Sequence, residues 1–214
     1  MKNIYCISGL GADERIFRNL SIPGARLVHV PWAPYDKHDE VPCYAQKMSE
    51  RIKEKDPVLL GVSFGGMLAV EIAKQRHIDR AFIISSAKTR NELAAPGTGG
   101  LLAALIKSRL VPPAFFTMPN TILLRRFGAG NADERELLTE ILEDTDPRFV
   151  KWALQALLKW QSESYTEKIV HIHGTGDKII QSANVQPHIW VEGGSHLMIY
   201  NRAAEISKLV TENL

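Results

Sequence analysis

The chain alternates between short apolar runs and stretches in which apolar residues recur at helical spacing. The short runs are rich in Val, Ile and aromatic residues, which is typical of buried strands. They predict strands over residues 2–7, 25–30, 57–62, 80–85, 168–173 and 188–191. Helical spacing predicts helices over 42–55, 67–74 and 203–210. Because parallel strands need crossover connections, this alternation predicts an α/β fold with a mostly parallel sheet of about six strands and helices on both faces.

A G-x-S-x-G pattern, Gly61 to Gly65, joins the strand over 57–62 to the helix that follows it. A serine at a sharp strand-to-helix turn must adopt a strained backbone conformation, and the helix passes close behind it. A side chain at either glycine would then clash, which explains the small residues on both sides. A Gly-rich turn without chemistry is the alternative, but the strand-to-helix position argues against it. The pattern therefore predicts that Ser63 is a catalytic nucleophile.

Two residues that could serve Ser63 as acid and base follow later strands. Asp177 comes after the strand over 168–173, and His196 comes after the strand over 188–191. A nucleophilic serine needs a base to take its proton, and the base needs a group that orients it. An Asp in such a turn can instead bond the backbone, and a histidine beside two glycines can be a plain loop residue. The order Ser63, Asp177, His196, each after its own strand, nevertheless predicts a catalytic triad.

With these residues in this order, the sequence resembles a small member of the α/β-hydrolase superfamily, of the esterase or lipase-like kind. The resemblance covers residues 2–87 and 168–214. It implies an oxyanion hole made by the N–H of the residue after the nucleophile and an N–H from the loop after an early strand. At the matching positions this sequence has Phe64 and Leu10. Ser8 stands where a histidine is common in the family, which leaves open how that loop is braced.

The alternation of strands and helices stops between residues 87 and 166. A stretch rich in Gly and Pro comes first, and apolar patterns then predict helices over 101–110, 121–127, 132–143 and 149–160. Connections this long are uncommon unless they have a function of their own.

The resemblance places a cap at this point of the chain. We therefore expect a helical lid over residues 91–165, inserted into a core formed by 1–90 and 166–214. Phe127 and Trp152 are the lid aromatics that we expect to contact substrate. Packing of such residues between lid and core is the alternative, and for a single aromatic residue it is the commoner role.

Composition limits the possible partners. The 214 residues carry 26 basic and 24 acidic side chains, a net charge of +2, and no basic stripe interleaved with aromatics. We therefore expect a small-molecule substrate and no nucleic acid. Cys6 and Cys43 form no disulfide pattern and are expected to be free thiols. No apolar run is long enough to span a membrane or to act as a signal peptide, which favours the cytoplasm. The oligomeric state is left open.

His171 and His173 could be interpreted as a pair of metal ligands, because alternate residues of a strand share one face. A third ligand at a useful spacing is missing from the sequence. The two histidines are more simply explained as the end of a core strand. We therefore expect neither a metal nor another cofactor.

The residues together predict a hydrolase that cleaves a carboxylic ester or thioester of a small, largely apolar substrate through an acyl-enzyme. A serine at the turn argues against haloalkane dehalogenase or epoxide hydrolase chemistry, for which the superfamily uses an aspartate there. The alternative is a ligand-sensing or signalling protein on the same fold, with little turnover. Nothing in the residues separates these two functions.

Overall fold

The computed structural model describes residues 1–93, 104–108 and 110–214. The strands are β1 Lys2–Ile7, β2 Ala25–His29, β3 Val58–Val62, β4 Arg80–Ile84, β5 Ile169–Gly174 and β6 Ile189–Val191. They form a six-stranded sheet in the order β2-β1-β3-β4-β5-β6 within the described residues, and every neighbouring pair is parallel. The predicted α/β fold and its strands are confirmed.

Helices cover both faces of the sheet. They are α1 Val41–Ser49, α2 Phe64–Gln75, α3 Thr121–Phe127, α4 Ala132–Asp144, α5 Pro147–Lys159, α6 Met198–Asn201 and α7 Ala203–Glu212. Single 3-10 turns lie at Glu14–Phe17, Arg90–Leu93, Pro113–Phe116 and Ser182–Asn184. The helix predicted over 101–110 falls partly outside the described residues. In the part of the chain that is described, no helix is long and apolar enough to cross a membrane.

The two faces of the sheet bury separate apolar layers, because successive residues of a strand point to opposite sides. Leu59 of β3 belongs to the layer that includes α1 and α2. Leu60, the next residue, belongs to the layer that includes α6 and α7. All of β3 is buried, as expected for a parallel strand covered on both faces. The turn that follows β3 is therefore supported from both sides of the sheet.

α1 is shorter than the helix predicted over 42–55, because the side chain of Arg76 forms hydrogen bonds with the carbonyl groups that follow α1. The helix ends at Ser49. Beyond it, the Arg76 guanidinium donates to the carbonyl oxygens of Ile52 at 3.1 Å and Lys55 at 3.0 Å. Carbonyl groups without a partner in the helix need another donor, and Arg76 supplies one to each of these two. These hydrogen bonds stabilise an irregular connection to β3 in place of another helical turn.

The two cysteines are free thiols, as predicted, but their surroundings differ. Cys6 lies inside the sheet, and burial raises the pKa of its thiol to about 12. Cys43 is exposed at the start of α1. Because the thiolate is the reactive form of cysteine, burial leaves Cys6 unreactive at neutral pH.

α2 begins immediately after Ser63 and passes so close to the sheet that two positions require glycine. A Cβ atom on Gly65 would overlap the carbonyl oxygens of Ile7 and Ser8. A Cβ atom on Gly61 would overlap the carbonyl group of Gly65. The obstacle is backbone in each case, so it cannot move aside as a side chain could. The glycines of the G-x-S-x-G pattern thus have the steric role that the sequence predicted.

We expect Gly65→Ala to destabilise the fold by about 1 to 3 kcal/mol or more, because the added methyl group overpacks a rigid site. Gly130→Ala is the matched control, since a Cβ atom there would meet only the Glu134 carboxylate at an ordinary 3.7 Å. Urea unfolding of both variants measures the difference. Equal free energies of unfolding would contradict the close approach of α2 to the sheet.

Candidate active site

Ser63 lies in the turn between β3 and α2 and has a backbone conformation that residues other than glycine rarely adopt. Its φ is 52° and its ψ is −119°. The Ser63 N–H donates to the carbonyl oxygen of Ile84 at 3.0 Å. The Ser63 carbonyl oxygen accepts from the Gly66 N–H at 3.0 Å and from the Ser86 hydroxyl at 2.7 Å. Such strain persists only where the surroundings hold it, and these hydrogen bonds fix the direction of the Ser63 side chain.

The structure brings the side chains of Ser63, Asp177 and His196 together. His196 Nδ1 lies 2.8 Å from Asp177 Oδ2, and His196 Nε2 lies 3.0 Å from Ser63 Oγ. A carboxylate oxygen only accepts, so Nδ1 carries the proton and Nε2 is free to accept from the Ser63 hydroxyl. Asp177 and His196 are buried and Ser63 is partly exposed. The arrangement allows a proton to move from the serine to the histidine.

Asp177 is held as an anion by its neighbours. Its Oδ1 accepts from the backbone N–H groups of Ile179 at 2.8 Å and Ile180 at 3.0 Å. Burial by itself raises the pKa of this carboxyl group, but the attraction of His196 and these hydrogen bonds outweigh it, so the net shift lowers the pKa. Asp177 is therefore ionised at neutral pH and can stabilise a charged His196.

Two backbone N–H groups lie on the cavity wall near the serine: that of Phe64, the next residue, and that of Leu10 in the loop after β1. Among the described residues, neither the Leu10 N–H nor the Phe64 N–H has a hydrogen-bond acceptor, and both residues line the cavity at Ser63. Phe64 opens α2, where N–H groups have no partner within the helix. The Ser8 hydroxyl braces the loop by donating to the Ala12 carbonyl oxygen at 2.7 Å. This hydrogen bond gives the loop a brace that needs no histidine at position 8.

A cavity of about 540 Å³ opens at Ser63 and His196. Most of its wall is apolar, and α3, α4 and α5 contribute much of that wall. The apolar side chains from these helices are Leu123, Phe127, Leu142, Val150, Leu154 and Leu157. Asn120 is a polar residue on the same wall. A cavity of this kind can hold an acyl chain or a similar apolar group next to the serine.

Phe127 and Trp152, the two predicted substrate contacts, lie in different places. Phe127 lines the cavity, and its ring stands edge-on to His196 with ring centres 5.5 Å apart. Trp152 is not on the cavity wall, and its prediction is wrong. The Trp152 ring stacks on Tyr35 at 4.8 Å and packs against Tyr44 at 4.7 Å. It therefore fixes α5 to the core and does not contact the cavity.

The sequence does not predict the cavity residues of α5, because they lie on a different face of the helix from Trp152. Val150, Leu154 and Leu157 follow helical spacing and line the cavity. Trp152, with Phe149, follows the same spacing on the face that joins the core. Helical spacing in the sequence defines these two faces, but nothing local indicates which of them meets the sheet.

The comparison with protein families agrees with the geometry of the site. The model of the alpha/beta hydrolase family matches residues 7–209, and the chain therefore belongs to this family. A search of curated proteins found no significant match.

Solved structures share the fold over nearly the whole chain. A thermophilic esterase is 16% identical with a TM-score of 0.70, and the match covers 100% of this chain and 90% of that one. An N-acyl homoserine lactone degrading enzyme is 17% identical with a TM-score of 0.72, covering 100% and 93%. An epoxide hydrolase from Bacillus megaterium is 11% identical with a TM-score of 0.72, covering 98% and 92%. At such identities the likeness shows the fold alone.

Two further histidines lie on β5, ahead of the Asp177 turn. His171 and His173 are fully buried, and His171 Nε2 lies 3.2 Å from His173 Nδ1. Burial lowers the pKa of both, and for His171, where His173, Lys88 and His188 add repulsion, the pKa falls to about 2. Both rings are therefore neutral in the folded protein. Across the described ranges, no group of three His, Cys, Asp or Glu residues is placed to hold a metal ion.

We expect the fold to lose stability in acid because of His171. A histidine in the unfolded chain titrates near pH 6.5, whereas the folded pKa of His171 is about 2. Between these values the unfolded state binds the extra proton. The contribution to stability is therefore complete above about pH 6.5 and falls by about 1.4 kcal/mol per pH unit below it.

Urea unfolding at about pH 7.5 and about pH 5 measures this slope. His171→Phe, which keeps a buried ring that cannot be protonated, should show a smaller decrease in the free energy of unfolding than the unchanged chain. The same decrease in both proteins would mean that other groups cause the sensitivity to acid.

Proposed function

We propose that this chain is a serine hydrolase that cleaves a carboxylic ester, or a thioester, of a small and largely apolar substrate. Ser63 is the nucleophile, His196 the base, and Asp177 the group that orients the base. One observation carries the proposal: hydrogen bonds link the Asp177 carboxylate through His196 to the Ser63 hydroxyl, on the wall of an apolar cavity.

The proposed reaction begins with proton transfer from the Ser63 hydroxyl to His196 Nε2 while Ser63 Oγ attacks the substrate carbonyl carbon. Asp177 stabilises the imidazolium that forms. His196 then gives the proton to the leaving alcohol or thiol, and the acyl group stays on Ser63 as an ester. A water molecule attacks this ester by the same route, which releases the acid and restores the serine.

The negative charge that develops on the carbonyl oxygen needs donors that are already in place. The N–H groups of Leu10 and Phe64 are available for this role, because no acceptor occupies them among the described residues. Removing one such donor typically costs about 3 to 4 kcal/mol of transition-state stabilisation in other hydrolases. The positive end of the α2 dipole lies at the same point and favours the same charge.

The cavity supports the proposed substrate class, and the similar structures are consistent with it. A volume of about 540 Å³ is in the range of pockets that bind small molecules, and the mostly apolar wall favours an uncharged acyl group. Two of the similar structures are named as an esterase and as an enzyme that degrades acyl homoserine lactones. A lactone is an internal ester, so the same serine chemistry would serve both kinds of substrate.

We also propose that residues 91–165 act as a cap over this site. The segments 1–90 and 166–214 carry Ser63, Asp177 and His196, while α3, α4 and α5 lie between β4 and β5 in the chain. These three helices contribute much of the cavity wall. In this proposal the core performs the reaction and the inserted helices select the substrate.

We expect Ser63→Ala to lower kcat by up to about 10⁶-fold on any ester that the chain cleaves, because the three side chains act as one unit. Ser195→Ala is the matched control: within the described residues the Ser195 hydroxyl is buried without a hydrogen-bond partner, so its removal should leave kcat nearly unchanged. Steady-state kinetics on p-nitrophenyl esters and thioesters measures both.

A fluorophosphonate should label Ser63 and no other residue, as mass spectrometry of the labelled peptide would show. Labelling at another serine, or full activity in Ser63→Ala, would contradict the proposed nucleophile. Labelling at Ser63 without turnover of any ester in the series would favour the ligand-sensing alternative.

We expect kcat/KM to rise about fourfold for each methylene added to the acyl chain until the cavity is full, since each buried methylene contributes about 0.8 kcal/mol. Leu154→Ala enlarges the cavity and should move the optimum to a longer chain. Leu209→Ala, a half-buried leucine of α7 that is not on the cavity wall, is the control. If the optimal chain length were unchanged in Leu154→Ala, the acyl chain would not bind against Leu154.

A further inference from the structure

The turn that carries Asp177 is tied to a buried histidine that the proposed reaction does not use. His173 lies on β5 and is fully buried. Its Nε2 lies 3.0 Å from the carbonyl oxygen of Ile180. The same Ile180 donates its N–H to Asp177 Oδ1 at 3.0 Å. The Ile180 residue is thus held on both sides, by the carboxylate of Asp177 and by the ring of His173.

The hydrogen bonds fix which nitrogen of His173 carries a proton. A carbonyl oxygen only accepts, so His173 Nε2 must be the donor to Ile180. In a neutral ring the other nitrogen, Nδ1, then accepts. Its partner is His171 Nε2 at 3.2 Å, which must donate. The Ile180 carbonyl group therefore fixes the tautomer of His173, and an N–H of His171 completes the same arrangement.

His173 also lies 3.6 Å from Asp177 Oδ2, the oxygen that binds His196. Both side chains are fully buried, so charge on the His173 ring would compete with His196 for that oxygen. The titratable groups that act on the two buried histidines are Asp177, His196, Glu92, Lys88 and His188. Burial outweighs the carboxylates and keeps the pKa of His173 below its usual value, so the ring stays neutral.

We propose that His173 is a positioning residue for the acid: its Nε2–H holds the Ile180 carbonyl group and thereby the turn that aims Asp177 at His196, while His171 donates to the other nitrogen of the ring. This inference rests on the proposed function of Asp177 and His196. It assigns a role in the reaction to two histidines of the strand that would otherwise be only core residues.

The test compares three side chains at position 173. His173→Gln keeps an N–H near the position of Nε2, whereas His173→Leu fills similar space without a donor. We expect kcat to fall on the order of 10²-fold in His173→Leu, as for other small displacements of catalytic groups, with KM little changed. His173→Gln should recover most of kcat. The side chain in His173→Asn is too short for its amide to reach Ile180, so kcat should fall as it does in His173→Leu.

Trp190→Leu is the control for packing, because the Trp190 ring contacts the His173 ring edge-on with ring centres 6.0 Å apart and makes no bond to the Asp177 turn. Its kcat should match that of the unchanged chain. Titration with a fluorophosphonate counts active sites, so that kcat refers only to folded molecules. Equal kcat per active site in His173→Leu and the unchanged chain would overturn the proposal, as would equal loss in the Gln and Leu variants.

A spectroscopic measurement separates failure of this inference from failure of the proposed function. The proton shared by His196 Nδ1 and Asp177 should give a downfield ¹H resonance without any substrate. We expect that resonance in the unchanged chain and in His173→Gln, and its loss or broadening in His173→Leu and His173→Asn. An unaltered resonance in both latter variants would overturn the positioning role, whether or not an ester is hydrolysed.

Discussion

The close approach of α2 to the ends of β1 and β3 is the constraint on which the rest of the structure depends. Gly65 lies directly against the carbonyl oxygens of Ile7 and Ser8, and no larger residue fits there. This contact forces Ser63 into its left-handed backbone conformation and leaves the Phe64 N–H at an open helix start. The loop that follows Ser8 carries Leu10, which lines the cavity at Ser63. The strained backbone of Ser63 and the open start of α2 thus occur at the point where the helix packs most closely on the sheet.

The proposed acid and nucleophile do not lie on neighbouring strands. β4 separates β3 from β5 in the sheet, so the two strands are about 10 Å apart at the usual spacing. His196 comes from the loop after β6 and spans this gap, with one ring nitrogen at Asp177 and the other at Ser63. Parallel strands make this possible because their carboxyl ends meet at one edge of the sheet. A chemical unit is thus assembled from three loops whose positions the sheet determines.

The sequence predicts what local chemistry determines and fails where distant contacts decide. Ser63, Asp177 and His196 each follow a recognisable strand, and the glycines around Ser63 mark a crowded turn, so the sequence alone is enough to select these residues. It is not enough to place the end of α1 at Ser49, because that end depends on hydrogen bonds from Arg76. The sequence also cannot predict the role of Trp152, because helical spacing defines the faces of a helix but does not say which face packs on the core.

The shortness of β6 affects how the protein would lose activity on partial unfolding. This edge strand covers only Ile189–Val191 and pairs on one side with β5, whereas β3, which carries Ser63, is enclosed on both sides. Segments with few buried contacts open locally at lower free energy than core strands do. In the proposed enzyme, mild heat or denaturant would therefore withdraw His196 while most of the molecule stayed folded. Loss of activity on heating is therefore expected before the central core unfolds.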